Sequence, residues 1–171
     1  MSSRIEKYVK WEQTLGENID FGSKIGQEVI ICLIIDDGVK SRGHRNNIFN
    51  QDFRVCGVGA FSHMVFETCI VLDYAGGIKD FEIKIDKGIQ SLSKKEPLNF
   101  EKLALDSFEA QNKVRSNPKS FIPLLEERLT LFKGNVWKKP GKTGIVTQEG
   151  TAVVKECIEY LKKANSLPPM T

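Results

Sequence analysis

The run from Met64 to Tyr74 constrains the fold of this chain most tightly. Met64, Phe66, Thr68, Ile70, Leu72 and Tyr74 fall on one face of an extended segment, with Val65, Glu67, Cys69, Val71 and Asp73 on the other. Strict period two over that length fits a half-buried strand. Phe53 to Phe61 reads the same way, and the short break near Ser62-His63 predicts that the two runs pair antiparallel. Between Gln27 and Asp36 the period changes: Val29, Ile30, Leu33 and Ile34 share a helical face, which Cys32 and Ile35 widen almost all round. Such a helix is expected to be buried on every side. Gly38 is placed to stop it. Strands and helices together on 171 residues predict an α+β fold with a small antiparallel sheet.

The remaining elements are marked by caps and breakers. Ser3 and Glu6 have capping-box spacing and predict a short helix to about Trp11. Gly16 ends that unit, and Glu17 to Phe21 is expected to be extended. Gly76-Gly77 closes the first half, and residues 86–98 read as a solvated linker. The second half is helical. Asn99 caps a helix that Pro118 breaks. Ser120 to Phe132 carries Phe121, Leu124, Leu125, Leu129 and Phe132 at helical spacing before Gly134, and Lys138 to Lys142 forms a turn. Thr147 then caps a last helix bearing Val153, Val154, Cys157, Ile158 and Leu161.

Composition removes several functions. The net charge of +3 is spread along the chain rather than gathered, which argues against nucleic acid as a partner. Four cysteines without a CxxC pair argue against a structural zinc site and read as buried free thiols; only Cys56 and Cys69 are placed to meet as a disulfide. No apolar run approaches the roughly 20 residues of a membrane span. The N-terminus lacks a basic segment followed by an apolar one, so the chain is expected either to stay inside the cell or to be part of a longer product.

Carboxylates and imidazoles that converge can bind a divalent metal or exchange protons near neutral pH. Glu17, Asp36, Asp37 and His44 are the candidates, with His63 at the strand junction. Each has a plainer reading. Glu17 can be a solvated carboxylate, Asp37 a turn residue with Gly38, and His63 an exposed turn residue. Arg42 and Arg45 flank His44 and would keep an unpaired imidazole neutral, the metal-binding form, although a structural hydrogen-bonding role fits it equally. No Ser or Cys has an activating context, no phosphate-binding loop is complete, and no His-Glu-x-x-His spacing occurs.

Several segments together resemble a known family. Gly16-Glu17-Asn18-Ile19, Leu33 to Val39, Arg42-Gly43-His44-Arg45-Asn46-Asn47-Ile48-Phe49-Asn50 and Phe53 to Gly59 resemble the later half of a CAP (SCP) domain. This superfamily comprises cysteine-rich secretory proteins, antigen 5 and pathogenesis-related 1 proteins, and the likeness is to its cysteine-poor type. Asn112 to Pro118 resembles the opening helix motif, and Thr147-Gln148-Glu149-Gly150 with the helix after it resembles the second helix. The order is inverted, and the central stretch that carries the family's first site histidine has no counterpart. The chain therefore reads as a CAP-like domain, either permuted or assembled from two partial domains of a tandem protein. Residues 1–85 form the C-terminal half, 86–98 the linker and 99–171 the N-terminal helical half.

The resemblance implies an α-β-α sandwich and a cleft of histidines and acids. Glu17 and His44 match family positions, and Asp36 or Asp37 lies near the second acid. It implies a non-catalytic binding module for lipid, sterol or protein partners, with no required cofactor and weak binding of a divalent metal such as zinc through Glu17 and His44. The alternatives are a metal-dependent hydrolase using that pair, or a fragment with an incomplete site. The family is extracellular, whereas the N-terminus reads as cytoplasmic.

Overall fold

In the computed structural model, which describes residues 2–79 and 98–171, the alternating run becomes the central strand of a three-stranded antiparallel sheet. Its strands are β1 (Lys10–Phe21), β2 (Val55–His63) and β3 (Glu67–Lys79), in the order β1-β3-β2. Thr68, Ile70, Leu72 and Tyr74 of β3 are buried and form the core face, whereas Met64 and Phe66 of the same predicted face lie in the turn before β3 and are exposed. Across it, Cys56, Val58 and Ala60 of β2 lie opposite Tyr74, Leu72 and Ile70.

Helix α2 (Gly26–Ile35) packs on this face with Val29, Ile30 and Ile34 fully buried, as its all-round apolar pattern requires. Helix α4 (Phe100–Ser116) lies against both α2 and β2. Asn99 caps α4, its side-chain oxygen accepting from the Lys102 amide at 2.9 Å. A 3₁₀ turn (Pro118–Phe121) leads into α5 (Ile122–Thr130), which packs on α6 (Thr151–Lys163). Residues from both sides of the undescribed stretch enter one core: Val29, Ile70 and Leu72 pack in the same cluster as Leu103, Val114, Cys157 and Leu161. The fold is α+β.

Buried polar side chains stitch the halves together. Asn18, Tyr74 and Gln111 form a chain in the core: the Asn18 amide donates to the Tyr74 hydroxyl at 3.1 Å, which donates to Gln111 Oε1 at 2.7 Å. Arg115, buried on α4, donates to the backbone carbonyls of Ile48, Asn50, Phe53 and Pro168. Carbonyls that meet no ladder partner are thereby satisfied. The chain end joins the sheet edge, where Thr171 exchanges backbone hydrogen bonds with Cys56 and Arg54 at 3.0 Å.

Several local expectations are corrected. The helix expected from Ser3 to Trp11 is one turn, α1 (Ser2–Ile5), because β3 extends to Lys79 and recruits Lys10 to Glu12 as strand partners. For the same reason Gly76-Gly77 lies inside β3 rather than ending it. The polar Lys40 to Asn47 segment contains a short helix, α3 (Gly43–Ile48). Past α5, a small antiparallel sheet appears, built from β4 (Phe132–Lys133), β5 (Val136–Trp137) and β6 (Ile145–Val146).

Thr147 does not cap α6; its hydroxyl donates to the Asn135 carbonyl at 2.7 Å. Cys56 and Cys69 are free thiols, Cys56 inward on β2 and Cys69 on the outer face of β3. Among the described residues the main helices pack over the inner face of the sheet, while Cys69, Val71 and Asp73 of the outer face stay partly exposed. The expected linker lies outside the described residues except for Leu98, which packs against the core.

The two halves approach closely at Gly26, where a Cβ would come within 2.3 Å of the α4 backbone at Asp106 and Ser107. Neither helix backbone can yield there without displacing the other. Gly26→Ala is therefore expected to destabilise the fold by about 2–3 kcal/mol in denaturant melts. Gly57→Ala, where nothing lies within 4 Å, is expected to stay within about 0.5 kcal/mol of the parent. Equal melts for the two variants would contradict the close crossing.

Candidate functional site

The way α2 ends places the candidate side chains. Asp36 takes the left-handed conformation (φ 59°) as its C-cap, and its amide donates to the Cys32 carbonyl at 2.9 Å. Aspartate tolerates that conformation better than most residues. Its carboxylate then reaches forward to α3: Oδ2 accepts the His44 backbone amide at 2.9 Å, and Oδ1 lies 2.7 Å from His44 Nδ1.

The imidazole keeps 35% of its surface exposed while Asp36 is covered. The hydrogen bond to Asp36 raises the His44 pKa above its ordinary 6.5; burial opposes this, and the charges of Asp36 and Asp20 add to it. The expectation of a neutral imidazole held by Arg42 and Arg45 is corrected. Both guanidinium groups turn toward α6 instead. Arg42 pairs with Glu149 at 2.7 Å and Glu156 at 3.1 Å, and Arg45 pairs with Glu156 at 2.6 Å.

Asp37 is taken up by structure, its two oxygens accepting the backbone amides of Gln148 and Glu149 at 2.8 and 2.9 Å just ahead of α6. His63 holds the β2–β3 turn, with Nδ1 accepting the amides of Val65 and Phe66 at 3.2 Å.

Glu17 is separated from His44 by the pleat. Gly16, Asn18 and Asp20 of β1 point into the core, so Glu17 points to the other face. There it lies opposite Asp73, and both carboxylates accept from Arg4. Burial raises the Asp73 pKa to about 6, and neighbouring Glu17 pushes the same way against Arg4. Asn18, facing inward, donates to the His44 carbonyl at 2.9 Å. The expected Glu17–His44 ligand pair is thus not formed. The glycine of the same motif has a packing role: a Cβ on Gly16 would fall 2.6 Å from the Phe53 ring.

Besides Asp36, the structure brings a second acid into the electrostatic range of His44: Asp20, only 7% exposed. Ser23 hydrogen-bonds to it through side chain and backbone, yet Oδ2 has no partner. Burial raises its pKa from 3.8 to about 6 against the opposing influence of Ser23, His44 and Arg128. Arg128 of α5 stacks over the Trp137 ring at 3.8 Å. Its Nε and the Trp137 Nε1 are also buried without a hydrogen-bond partner. Cys32 of α2 borders the same place, in contact with Ser23 and Arg128, and burial raises its thiol pKa.

None of these five residues is among the candidates that the sequence offers. Asp20 has a readable signal, since it shares the inward register of Gly16 and Asn18. Arg128 and Trp137 have none, because only the tertiary fold brings α5 and β5 to β1.

Among the described residues, no group of three or more His, Cys, Asp and Glu side chains is arranged to hold a metal ion, and no helix is long and apolar enough to cross a membrane. Comparison with known proteins finds no matching family model, no matching curated protein and no matching solved structure.

The raised His44 pKa has a definite sign. Protonated His44 contributes stability that is complete below about 6.5 and is lost as pH rises through its folded value. Asp36→Asn is expected to lower the midpoint of the His44 ring resonances in an NMR titration and to reduce the stability gained on acidification through that range. A midpoint unmoved by the substitution would contradict the assigned cause.

Proposed function

We propose that this chain is a CAP-type binding module, non-catalytic, that holds a lipid, sterol or protein partner at the side-chain cluster of Asp20, His44, Arg128 and Trp137. The observation that carries the reading is that this cluster holds three buried polar atoms with no hydrogen-bond partner in the protein: Asp20 Oδ2, Arg128 Nε and Trp137 Nε1. A buried polar group without a partner costs about 1–3 kcal/mol, so three in one place favour a ligand that supplies what is missing. A hydroxyl fits, because it donates to the carboxylate and accepts from a guanidinium or indole N–H. Sterols, hydroxylated lipids and Ser or Thr side chains of a protein partner all carry one.

The motif resemblance supports this assignment through the roles its residues take. Gly16 admits the Phe53 ring, Asn18 ties β1 to α3, and Asp36 orients His44. The single shared core supports a permuted domain over two separate pieces. An extracellular setting belongs to the same proposal. Chemistry on the ligand is disfavoured, since burial pushes the Cys56 and Cys157 thiols to about 12 and raises Cys32, away from the reactive thiolate. A divalent metal such as zinc is expected to bind weakly, as Glu17 is on the wrong face and Asp36 is already spent on His44.

Asp20→Asn tests the reading through two readouts of opposite sign. A carboxyl whose folded pKa is raised is destabilising once ionised: the stability it allows is complete below 3.8 and is lost as pH rises through about 6. That rise corresponds to about 3 kcal/mol at neutral pH as an upper figure. Asp20→Asn should therefore stabilise the protein at pH 7 in denaturant melts and flatten its profile between about pH 4 and 6. The same change should weaken binding of dehydroergosterol, used as a fluorescent sterol probe, by about tenfold. In the parent, the probe should shift the Trp137 indole N–H resonance. A variant that gains stability yet binds the probe unchanged would exclude the Asp20 cluster as the binding centre.

A further inference from the structure

The β2–β3 turn presents apolar side chains to solvent at one end of the sheet. Met64 is 103% exposed and Val65 76%, and Phe61 and Phe66 are about half exposed beside them. Phe21 of β1 joins from across β3, since Phe21 and Phe61 both lie opposite Cys69. Its ring is 5.2 Å from His63 and 5.4 Å from Phe66. Exposed apolar residues scattered singly need no explanation, but a contiguous cluster on a projecting turn does.

Two features define what this surface fits. It carries no charge: from Val55 to Phe66 the chain has no Asp, Glu, Lys or Arg, and Lys24 and Glu67, next to it, pair with each other. The turn has also satisfied backbone donors that would otherwise resist leaving water. The Val65 and Phe66 amides both donate to His63 Nδ1. Unpaired backbone N–H groups are what keep irregular turns out of a hydrocarbon environment. A neutral tip whose Val65 and Phe66 amides are both occupied by His63 presents mainly apolar side chains to a partner. In its lack of charge it matches the electrically neutral interface of a phosphatidylcholine bilayer.

We infer that the Phe61–Phe66 turn, with Phe21, is a docking tip that inserts shallowly into a neutral lipid surface. The bulk of the domain stays in water, and no span is involved. The tip is built from the outer face and turn of the sheet, so it stands apart from the cluster around Asp20 and does not depend on the proposed function.

Co-sedimentation of the full chain with phosphatidylcholine vesicles, with no anionic lipid, tests the inference. The expected result is binding that rises with lipid concentration and is unchanged between low and high salt, because no charge pairing is involved. A double variant, Met64→Asp with Val65→Asp, should lose about tenfold or more in vesicle affinity through lost apolar contact and the cost of the added charge. Both positions are exposed, so its thermal melt should match the parent's within a few degrees. Leu105→Asp, at a comparably exposed apolar side chain on α4, should bind vesicles like the parent, showing that the tip and not general surface hydrophobicity carries the binding. Failure of the parent to sediment with the vesicles, or equal binding by the double variant, would overturn the inference. So would a parent dimer that the double variant dissolves and that shows no vesicle binding, since the tip's occupant would then be a second copy of the chain.

Discussion

The C-terminus of α2 is where this structure is decided. A helix leaves its last carbonyls without internal partners, and here that end lies in the core, out of reach of water. Arg45, 1% exposed, donates to the carbonyls of Ile34 and Ile35, and Arg42 donates to those of Asp36 and Val39. Two cations brought in for this purpose need counter-charges of their own. Glu149 and Glu156 supply them from the segment around the start of α6, more than a hundred residues along the chain. Glu149 also accepts the Gly38 amide, and its carboxyl is held down at about 2, chiefly by Arg42. The Cys157 thiol donates to the Ile34 carbonyl as well, at 3.3 Å. The two halves are thus joined through the unmet hydrogen bonds of a single helix end.

The same helix end prepares the candidate site. Asp36 caps α2, turns the chain and then holds the imidazole of His44, so a structural requirement and the orientation of a titratable group rest on one carboxylate. Asp20 is in the opposite condition. Its carboxyl is buried from the sheet side, raised to about 6 and only partly satisfied. Asp36 is what folding alone would select, with every oxygen used. Asp20 makes the fold less stable at neutral pH, which is why the functional reading rests on it and not on the better-bonded acid.

What could be read from the sequence divides along physical lines. The α2 and β3 segments were legible because each carries its own period: an almost continuous apolar surface for one, strict alternation for the other. The α4 boundaries were legible because Asn99 and Pro118 act locally. The Ser3 capping box was overruled beyond Ile5, since a strand already paired on one side recruits neighbouring residues. The small sheet of β4, β5 and β6 was hidden because two-residue strands have no period to detect. Of the residues the sequence groups together, Asp36 and His44 do meet, at 2.7 Å, whereas Glu17 does not join them. The inward register of Gly16, Asn18 and Asp20, once fixed by the sheet, leaves Glu17 no route to that face.

That register also explains how one strand serves two different surfaces. Asp20 and Phe21 are adjacent, yet the pleat sends the first into the buried polar cluster and the second into the aromatic cluster with His63 and Phe66. A slip of β1 by one residue would exchange them, burying Phe21 beside Arg128 and exposing Asp20 among apolar rings. The bulge between Glu12 and Leu15, where Gln13 adopts a φ of 67°, takes up the irregularity at the far end of β1. Beyond it the pairing with β3 runs unbroken from Leu15 to Phe21. The Asn18 hydrogen bonds to His44 and Tyr74 then hold that stretch in place from the core side. Both surfaces are therefore set by the pairing of one strand, and neither can shift register without the other.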